Sequence, residues 1–332
     1  MASSDDLSAE ERLIARYFRP LATAPGALGL ADDAAVITPP PGCDLVLTTD
    51  GVIAGVHFLP EDPPGDVGRK VLRMNLSDLA AKGATPVGFL LSVALPSAVD
   101  TAWVAAFAAA LGEDATRYGC PLFGGDTDHT PGPLSVSIAA FGAVPHGRMV
   151  RRAGAKPGDS VVVTGTIGDA ALGLLIRRDG NRGANWLLSG PARSVLKQRS
   201  LVPEPRNVLA PALLQYASAA MDVSDGLAGD LIKLCRASGV GAEIDVARVP
   251  LSAAGRAVIA AEPPLIETVL TGGDDYEIVL ALAPEKLASF RAAAEQAGVA
   301  ATVIGRIVAG QGVRFLSDGK PLSLQKPSYS HF

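Results

Sequence analysis

The acidic residues with the most suggestive surroundings fall in five small groups. LADDAAV carries Asp32 and Asp33, LTTDG carries Asp50, GGDT carries Asp126, MDVSDG carries Asp222 and Asp225, and GGDDYE carries Asp274 and Asp275. Each group sits beside glycine or other small residues and close to an apolar run. Asp and Gly are ordinary turn formers, and that reading suffices for any one group. It is weaker for five groups with the same flanks. Carboxylates gathered in one place repel unless a cation neutralises them. Hard cations such as Mg²⁺ take oxygen ligands, commonly a carboxylate or two completed by phosphate and water. The pattern therefore points to chemistry on Mg²⁺-bound nucleotide phosphates. No G-x-x-x-x-G-K-[ST] run occurs, so the phosphates are not expected in a P-loop. The spacing predicts the carboxylates at strand ends and turns, exposed at a sheet edge rather than buried in it.

Other chemistries find less support. VVVTGTIGDAALGL sets Gly165 and Gly168 between a strand and a helix, where a helix N-terminus could hold phosphate. The dinucleotide spacing G-x-G-x-x-G is missing, and close helix–strand packing is the expected role of these glycines. His57, His129, His146 and His331 are not spaced for zinc ligation. His57, in TTDGVIAGVHF, is near enough to Asp50 to reach the same pocket. No G-x-S-x-G nucleophile motif is present. Arg151 and Arg152 either pair with nucleotide phosphates or form a solvated basic turn.

The elements that must position these groups can be read from periodicity. Ser8 and Glu11 form a capping-box pattern ahead of an N-terminal helix. Residues 45–50 read as a buried strand ending in polar residues. Residues 66–82 read as a helix, with Leu72, Leu76 and Leu79 on one stripe and Asn75, Asp78 and Lys82 on another. Strands are expected at 89–95 and 134–144 and a helix at 100–118, while PLFGGDT is a short strand running into a Gly-Gly turn. The basic, turn-rich run 150–160 marks a boundary between residues 149 and 150. Beyond it, VVVTG and MDVSDG each open a strand–turn–helix unit. Further strands are expected in EIDVARVP, after TGGDDYE and in ATVIGRIV, and a helix at 287–297. Intermingled strands and helices in both halves indicate an α/β or α+β class.

Bulk properties agree. A chain of 332 residues favours two domains. Aromatics are only 5% of a chain that is 48% hydrophobic, which leaves most packing to Ala, Val and Leu. A net charge of −5 argues against a nucleic-acid partner. Three scattered cysteines suit a reducing compartment and no structural zinc. The acidic N-terminus lacks the features of a signal peptide, and the longest apolar runs fall short of the roughly 20 residues a membrane span needs. A cytoplasmic protein without membrane contact is expected.

Taken in order, LADDAAV, LTTDGVIAGVHF, RKVLRMNLSDLAAKGATP, LFGGDT, RRAGAKPGDSVVVTGTIGDAALGL, MDVSDGLAGDL, TGGDDYE and the terminal YSHF resemble the motifs of thiamine-monophosphate kinases. NLSDLAAKGA and GGDT are shared with a wider group of ATP-binding synthetases. The combination of TTD…GVHF, MDVSDGLAGDL and GGDDYE is the specific part. The resemblance implies a mixed α/β, two-domain fold like that of aminoimidazole-ribonucleotide synthetase. Its N-terminal sheets would pair across a homodimer, and ATP and thiamine monophosphate would lie in the cleft between the domains. It implies several Mg²⁺ ions, with Asp33, Thr48, Thr49, Asp50, Asp78, Asp126, Asp222 and Asp225 as metal ligands. Gly125, Asp126, Arg152 and Ser224 are implied for ATP, and His57, Asp274 and Tyr329 for the substrate. No side chain is expected to serve as a catalytic base, because a phosphate acceptor is already nucleophilic at neutral pH.

Three departures accompany the resemblance. Ala31 replaces the usual glycine before the Asp pair, which matters only if the position needs a positive φ. GGDTDHTPG places Asp128 and His129 where relatives differ. Asp274 stands where many relatives have Glu. Two alternatives stay open on sequence alone: another synthetase of the same ATP-binding group, and a protein that binds Mg²⁺–nucleotide without turnover.

Overall fold

The computed structural model describes residues 8–325 and 328. The chain divides into two compact units. One comprises the chain up to Leu79 and Ala84–Gly147; the other comprises Ala80–Gly83 and the chain from Arg148 onward.

The first unit begins with α1 (Ala9–Leu13), opened by the expected capping box: Glu11 N–H donates to Ser8 Oγ at 3.1 Å and Ser8 N–H to the Glu11 carboxylate at 2.6 Å. Then follow β1 (Cys43–Ile53), α2 (Pro64–Ala81), β2 (Thr85–Leu95), α3 (Thr101–Arg117), β3 (Leu122–His129) and β4 (Ser135–Pro145). The last two residues of α2 fall in the second unit. Asp100 caps α3 by accepting from Trp103 N–H at 2.8 Å. The strands form a sheet in the order β1-β4-β2-β3, antiparallel except for β2 against β3. Leu72, Leu76 and Leu79 are fully buried along α2, as their spacing predicts.

Two local expectations are corrected. Asp50 does not end its strand, because β1 pairs with β4 as far as Ile53, with Asp50 opposite Ile138. GGDT is not a turn: parallel pairing with β2 keeps Gly124 to His129 in β3, with Leu91 opposite Gly125. Asp128 and His129 are simply the last residues of that strand.

The second unit contains β5 (Ser160–Thr164), α4 (Asp169–Arg178), α5 (Arg182–Asn185), α6 (Gly190–Leu201), α7 (Ala210–Tyr216), β6 (Ala219–Asp222), α8 (Leu227–Ser238) and β7 (Gly241–Asp245). After these come α9 (Ala253–Ala261), α10 (Ile266–Thr271), β8 (Ile278–Leu282), α11 (Leu287–Gln296), β9 (Ala301–Val308), β10 (Gly312–Ser317) and β11 (Lys320–Pro321). The sheet order is β11-β10-β7-β9-β5-β8-β6. Strands β5 and β8 are near-continuous apolar runs because both their faces are covered. Val161 and Val163 join a core with Leu172, Leu196, Leu231 and Val258, while Val162 joins an opposite core with Leu213, Leu280 and Phe290. Among the described residues, no helix is long and apolar enough to cross a membrane.

Candidate active site

In the first unit, α2 braces the acidic end of β1. Asn75, fully buried, accepts from Asp50 N–H through Oδ1 at 3.0 Å and donates to Val71 O at 2.9 Å. One turn further along α2, Asp78 Oδ2 accepts from Thr48 Oγ1 at 2.6 Å. The polar stripe predicted on this helix thus holds the TTD step. Its third member, Lys82, belongs to the second unit and donates to Ala220 O at 2.9 Å. Thr49 Oγ1 donates across the sheet to Ile138 O at 3.0 Å.

A cavity of about 780 Å³ opens in the same unit. Asp32, Asp33, Thr49, Gly125, Asp126 and Thr127 give it a polar wall, and Ile14, Phe18, Leu30 and Leu91 line its apolar side. Asp33, Thr49, Gly125 and Asp126 therefore meet at one cavity, whereas Thr48, Asp50 and Asp78 do not line it. Asp33 and Asp126 are exposed. Ala31 has φ −111°, so its position demands no glycine and the departure costs nothing in backbone strain. Gly125 is required for a packing reason: a Cβ there would lie 1.8 Å from Leu91 O on the paired strand.

His57 follows β1 in a tight loop. Its Nδ1 accepts from Ile53 N–H at 3.0 Å, which requires that nitrogen to be unprotonated and leaves the ring proton on Nε2. Its carbonyl is tied by the buried Lys70 Nζ at 2.9 Å. The imidazole is thereby held by the backbone of the strand that carries Asp50.

In the second unit, the MDVSDG and GGDDYE loops continue the β6–β8 pairing beyond the strands. Val223 N–H donates to Glu277 O at 2.8 Å, Tyr276 N–H to Val223 O at 2.8 Å, and Asp274 N–H to Ser224 O at 2.9 Å. Asp222 and Asp275 are buried, and Ser224, Asp225 and Asp274 are half-buried. The expectation that all the acidic groups are exposed at a sheet edge is corrected for Asp222 and Asp275. Asp222 is the last residue of β6, beneath the loop, and Asp275 turns inward to meet a helix terminus.

Each loop is fixed by an internal carboxylate. Asp230, in the first turn of α8, accepts from Ser224 N–H and Asp225 N–H, both at 2.9 Å, and from Lys233 Nζ at 2.8 Å. Burial pushes its carboxyl up against the pull of Lys233. Lys233 Nζ also donates to Asp225 at 2.5 Å. Burial opposes charge on that ammonium, but its two carboxylate bonds outweigh burial and hold it above its ordinary range. Asp275 accepts from Gly168 N–H at 2.7 Å, and burial raises its carboxyl well above the usual carboxylate range. The turn after β5 is thus filled by the protein's own carboxylate, which agrees with a packing role for its glycines. A Cβ on Gly165 would lie 2.0 Å from Glu277 Oε1, and one on Gly168 2.7 Å from Val269.

Glu277 is fully buried beneath this turn. It accepts from Thr164 Oγ1 at 2.8 Å, from Arg199 Nη2 at 3.0 Å and from Arg206 Nε at 2.6 Å, with a further bond from Arg206 Nη2. Sequence reading passed over Asp230, Lys233, Glu277, Arg199 and Arg206. The Asp230/Lys233 spacing on α8 was the one local signal. Arg152 is exposed on the turn after Val150. Tyr329 and His331 lie outside the described residues.

The oxygen-only donors fit Mg²⁺. Asp33 and Asp126 offer exposed carboxylates beside a hydroxyl at one cavity, a set that phosphate and water oxygens would complete. Among the described residues no three carboxylate, imidazole or thiol groups form a ready-made cage. Asp225 meets Lys233 through Oδ2, and its other carboxylate oxygen is the one a metal could take without exchange.

Residues 31–144 match the family model for the AIR synthase related protein N-terminal domain, and residues 156–317 match that for the C-terminal domain. The two units therefore define a member of that two-domain class. A thiamine-monophosphate kinase of Caulobacter vibrioides is 44% identical over 96% of this chain and 89% of its own length. A crystal structure of thiamine-monophosphate kinase from Stenotrophomonas maltophilia superposes with a TM-score of 0.83 at 37% identity, covering 96% of this chain and 98% of the other. The complex of AaThiL with AMPPCP and TMP superposes with a TM-score of 0.76 at 33% identity, covering 91% of each chain. The chain belongs to the thiamine-monophosphate kinase family.

Proposed function

We propose that this protein transfers the γ-phosphoryl group of ATP to the phosphate of thiamine monophosphate, giving thiamine diphosphate and ADP. The observation that carries the reading is the convergence of Asp33, Thr49, Gly125 and Asp126 on one cavity in a chain whose relative AaThiL was solved with AMPPCP and TMP. AMPPCP is a non-hydrolysable ATP analogue, and TMP is read as the acceptor.

Residues 1–149 supply ATP and metal contacts and the sheet through which two copies pair as a cytoplasmic homodimer. Residues 150–332 supply further contacts to metal, nucleotide and substrate. Asp33, Thr48, Thr49, Asp50, Asp78 and Asp126 in the first part and Asp222 and Asp225 in the second are the proposed Mg²⁺ ligands. Gly125, Asp126, Arg152 and Ser224 are proposed for ATP, and His57, Asp274 and Tyr329 for thiamine monophosphate. Bound Mg²⁺ supplies charge neutralisation between the ATP phosphates and the acceptor phosphate. The protein's own contribution is positioning. Transfer is in line, from the leaving ADP oxygen to an acceptor phosphate oxygen, and no side chain needs to remove a proton. His57, whose Nδ1 accepts from Ile53 N–H, is a proposed substrate contact rather than a base.

A coupled ADP-release assay with Mg²⁺, ATP and thiamine monophosphate tests the reading. Turnover that needs all three supports it. ADP release that ignores thiamine monophosphate, or none at all, would refute it.

A further inference from the structure

The GGDDYE loop carries an unusual backbone. Asp274 has φ 72° and Tyr276 φ 50°, both in the left-handed region. Asp tolerates that region; a bulky Tyr seldom does, and such strain persists only where the surroundings over-determine it. Here they do so on two sides. One side is the backbone ladder to Val223 and Ser224 described above. On the other, the buried Asp275 carboxylate sits between the two strained residues and accepts from Gly168 N–H at 2.7 Å and, more weakly, from Ala170 N–H at 3.4 Å. These donors are at the start of α4, whose first-turn N–H groups have no partner within the helix. Arg199 adds a bond from Nη2 to Asp275 O at 3.2 Å.

We propose that Asp275 is a positioning residue: by docking the loop on the first turn of α4 it holds Asp274 in its left-handed conformation and so aims the Asp274 side chain at the substrate. The substrate role of Asp274 rests on the proposed function; the docking of the loop does not. The neighbouring Ser224–Asp225 segment has its own anchor in the Asp230 carboxylate. Loss of the Asp275 bonds therefore frees the substrate side and leaves the nucleotide side held.

Asp275→Asn replaces one carboxylate oxygen with an NH₂ group that cannot accept from these N–H groups. The expected result is a rise in KM for thiamine monophosphate of about tenfold or more, with KM for ATP unchanged. Amide hydrogen exchange in the substrate-free variant should speed up at Gly168, Asp274 and Tyr276 and stay slow in β5 and β8. An unchanged KM for thiamine monophosphate, or equal losses in both KM values and in exchange throughout the unit, would overturn the proposal. If the variant does not fold, the wild-type protein decides. Its Gly168, Asp274 and Tyr276 amides should share one protection factor, as members of one opening unit do; clearly separate values would refute the docking. Failure of the wild type to turn over thiamine monophosphate would sink the functional reading while leaving the exchange result decisive for the loop.

Discussion

Glu277→Gln is nearly isosteric, and its cost can be worked from the bonds around it. The two carboxylate oxygens accept four N–H or O–H donors, from Thr164, Arg199 and both Arg206 positions. A carboxylate has about four acceptor sites, so its capacity is filled. The amide keeps one accepting oxygen. Its NH₂ must face either the guanidinium groups or Thr164, and the Thr164 hydroxyl oxygen already accepts from Ile278 N–H at 2.8 Å. In either orientation two bonds are lost and two arginines face each other without the anion between them. Removing one partner of a buried ion pair costs about 3–5 kcal/mol. Arg199 and Arg206 retain 18% exposure and can relax toward water, which favours the lower half, about 3–4 kcal/mol. At about 2–4 °C per kcal/mol for a unit of this size, the melting transition should fall by roughly 6–16 °C. Differential scanning calorimetry with near-UV circular dichroism would read it. A Tm close to that of the wild type would show that the cluster is solvated or already uncharged, and the reasoning would fail. Gly165→Ala should disturb the same carboxylate by steric contact, so the double variant should cost less than the two single costs summed.

Asp50→Asn and Asp126→Asn should each abolish ADP release with little change in Tm; full activity in either would sink the metal-ligand assignment. Gly125→Ala should lower stability by about 1–3 kcal/mol through overpacking, read by urea unfolding, and should lower activity because Asp126 is the next residue along β3. Burial pushes the thiols of Cys120 and Cys235 up to about 12 and about 11. At pH 8 both therefore stay protonated and slow toward a disulfide reagent. Only the half-buried Cys43 should titrate quickly in the native protein, and all three should do so after denaturation. Rapid native reaction at Cys120 would contradict its burial.

What the sequence revealed follows from what is local. The Ser8/Glu11 capping box and the leucine stripe of α2 depend on residues three or four apart, and both are found. The polar stripe of α2 was legible as a stripe, but its partners were not, because Thr48 and Asp50 are 30 and 25 residues away. The polar and glycine residues around Asp50 and Asp126 mimic a strand end and a turn, but pairing with β4 and β2 keeps both residues within strands. The burial of Glu277 was invisible for the same reason. Its arginines are 78 and 71 residues distant, on and after α6, a helix with only Leu196 and Ser200 buried and so without a strong apolar period. Family motifs filled part of this gap, since they mark residues by position along the chain. They gave Asp274 a substrate role without showing that Asp275 beside it is buried.

Helix α2 also sets where this chain can gain or lose residues. Asn75 and Asp78 reach β1 from one side of the helix while Leu72, Leu76 and Leu79 fill the core from another. An inserted residue turns everything downstream by about 100°. Placed between Leu72 and Asn75, it would swing both polar contacts away from β1 and carry leucines out of the core together. Length variation should therefore be accepted in the exposed turn before the helix, around Pro60, Glu61 and Pro63, and rejected within the helix and in the buried Gly83–Ala84 turn that follows it, a constraint on indels that no single substitution would reveal.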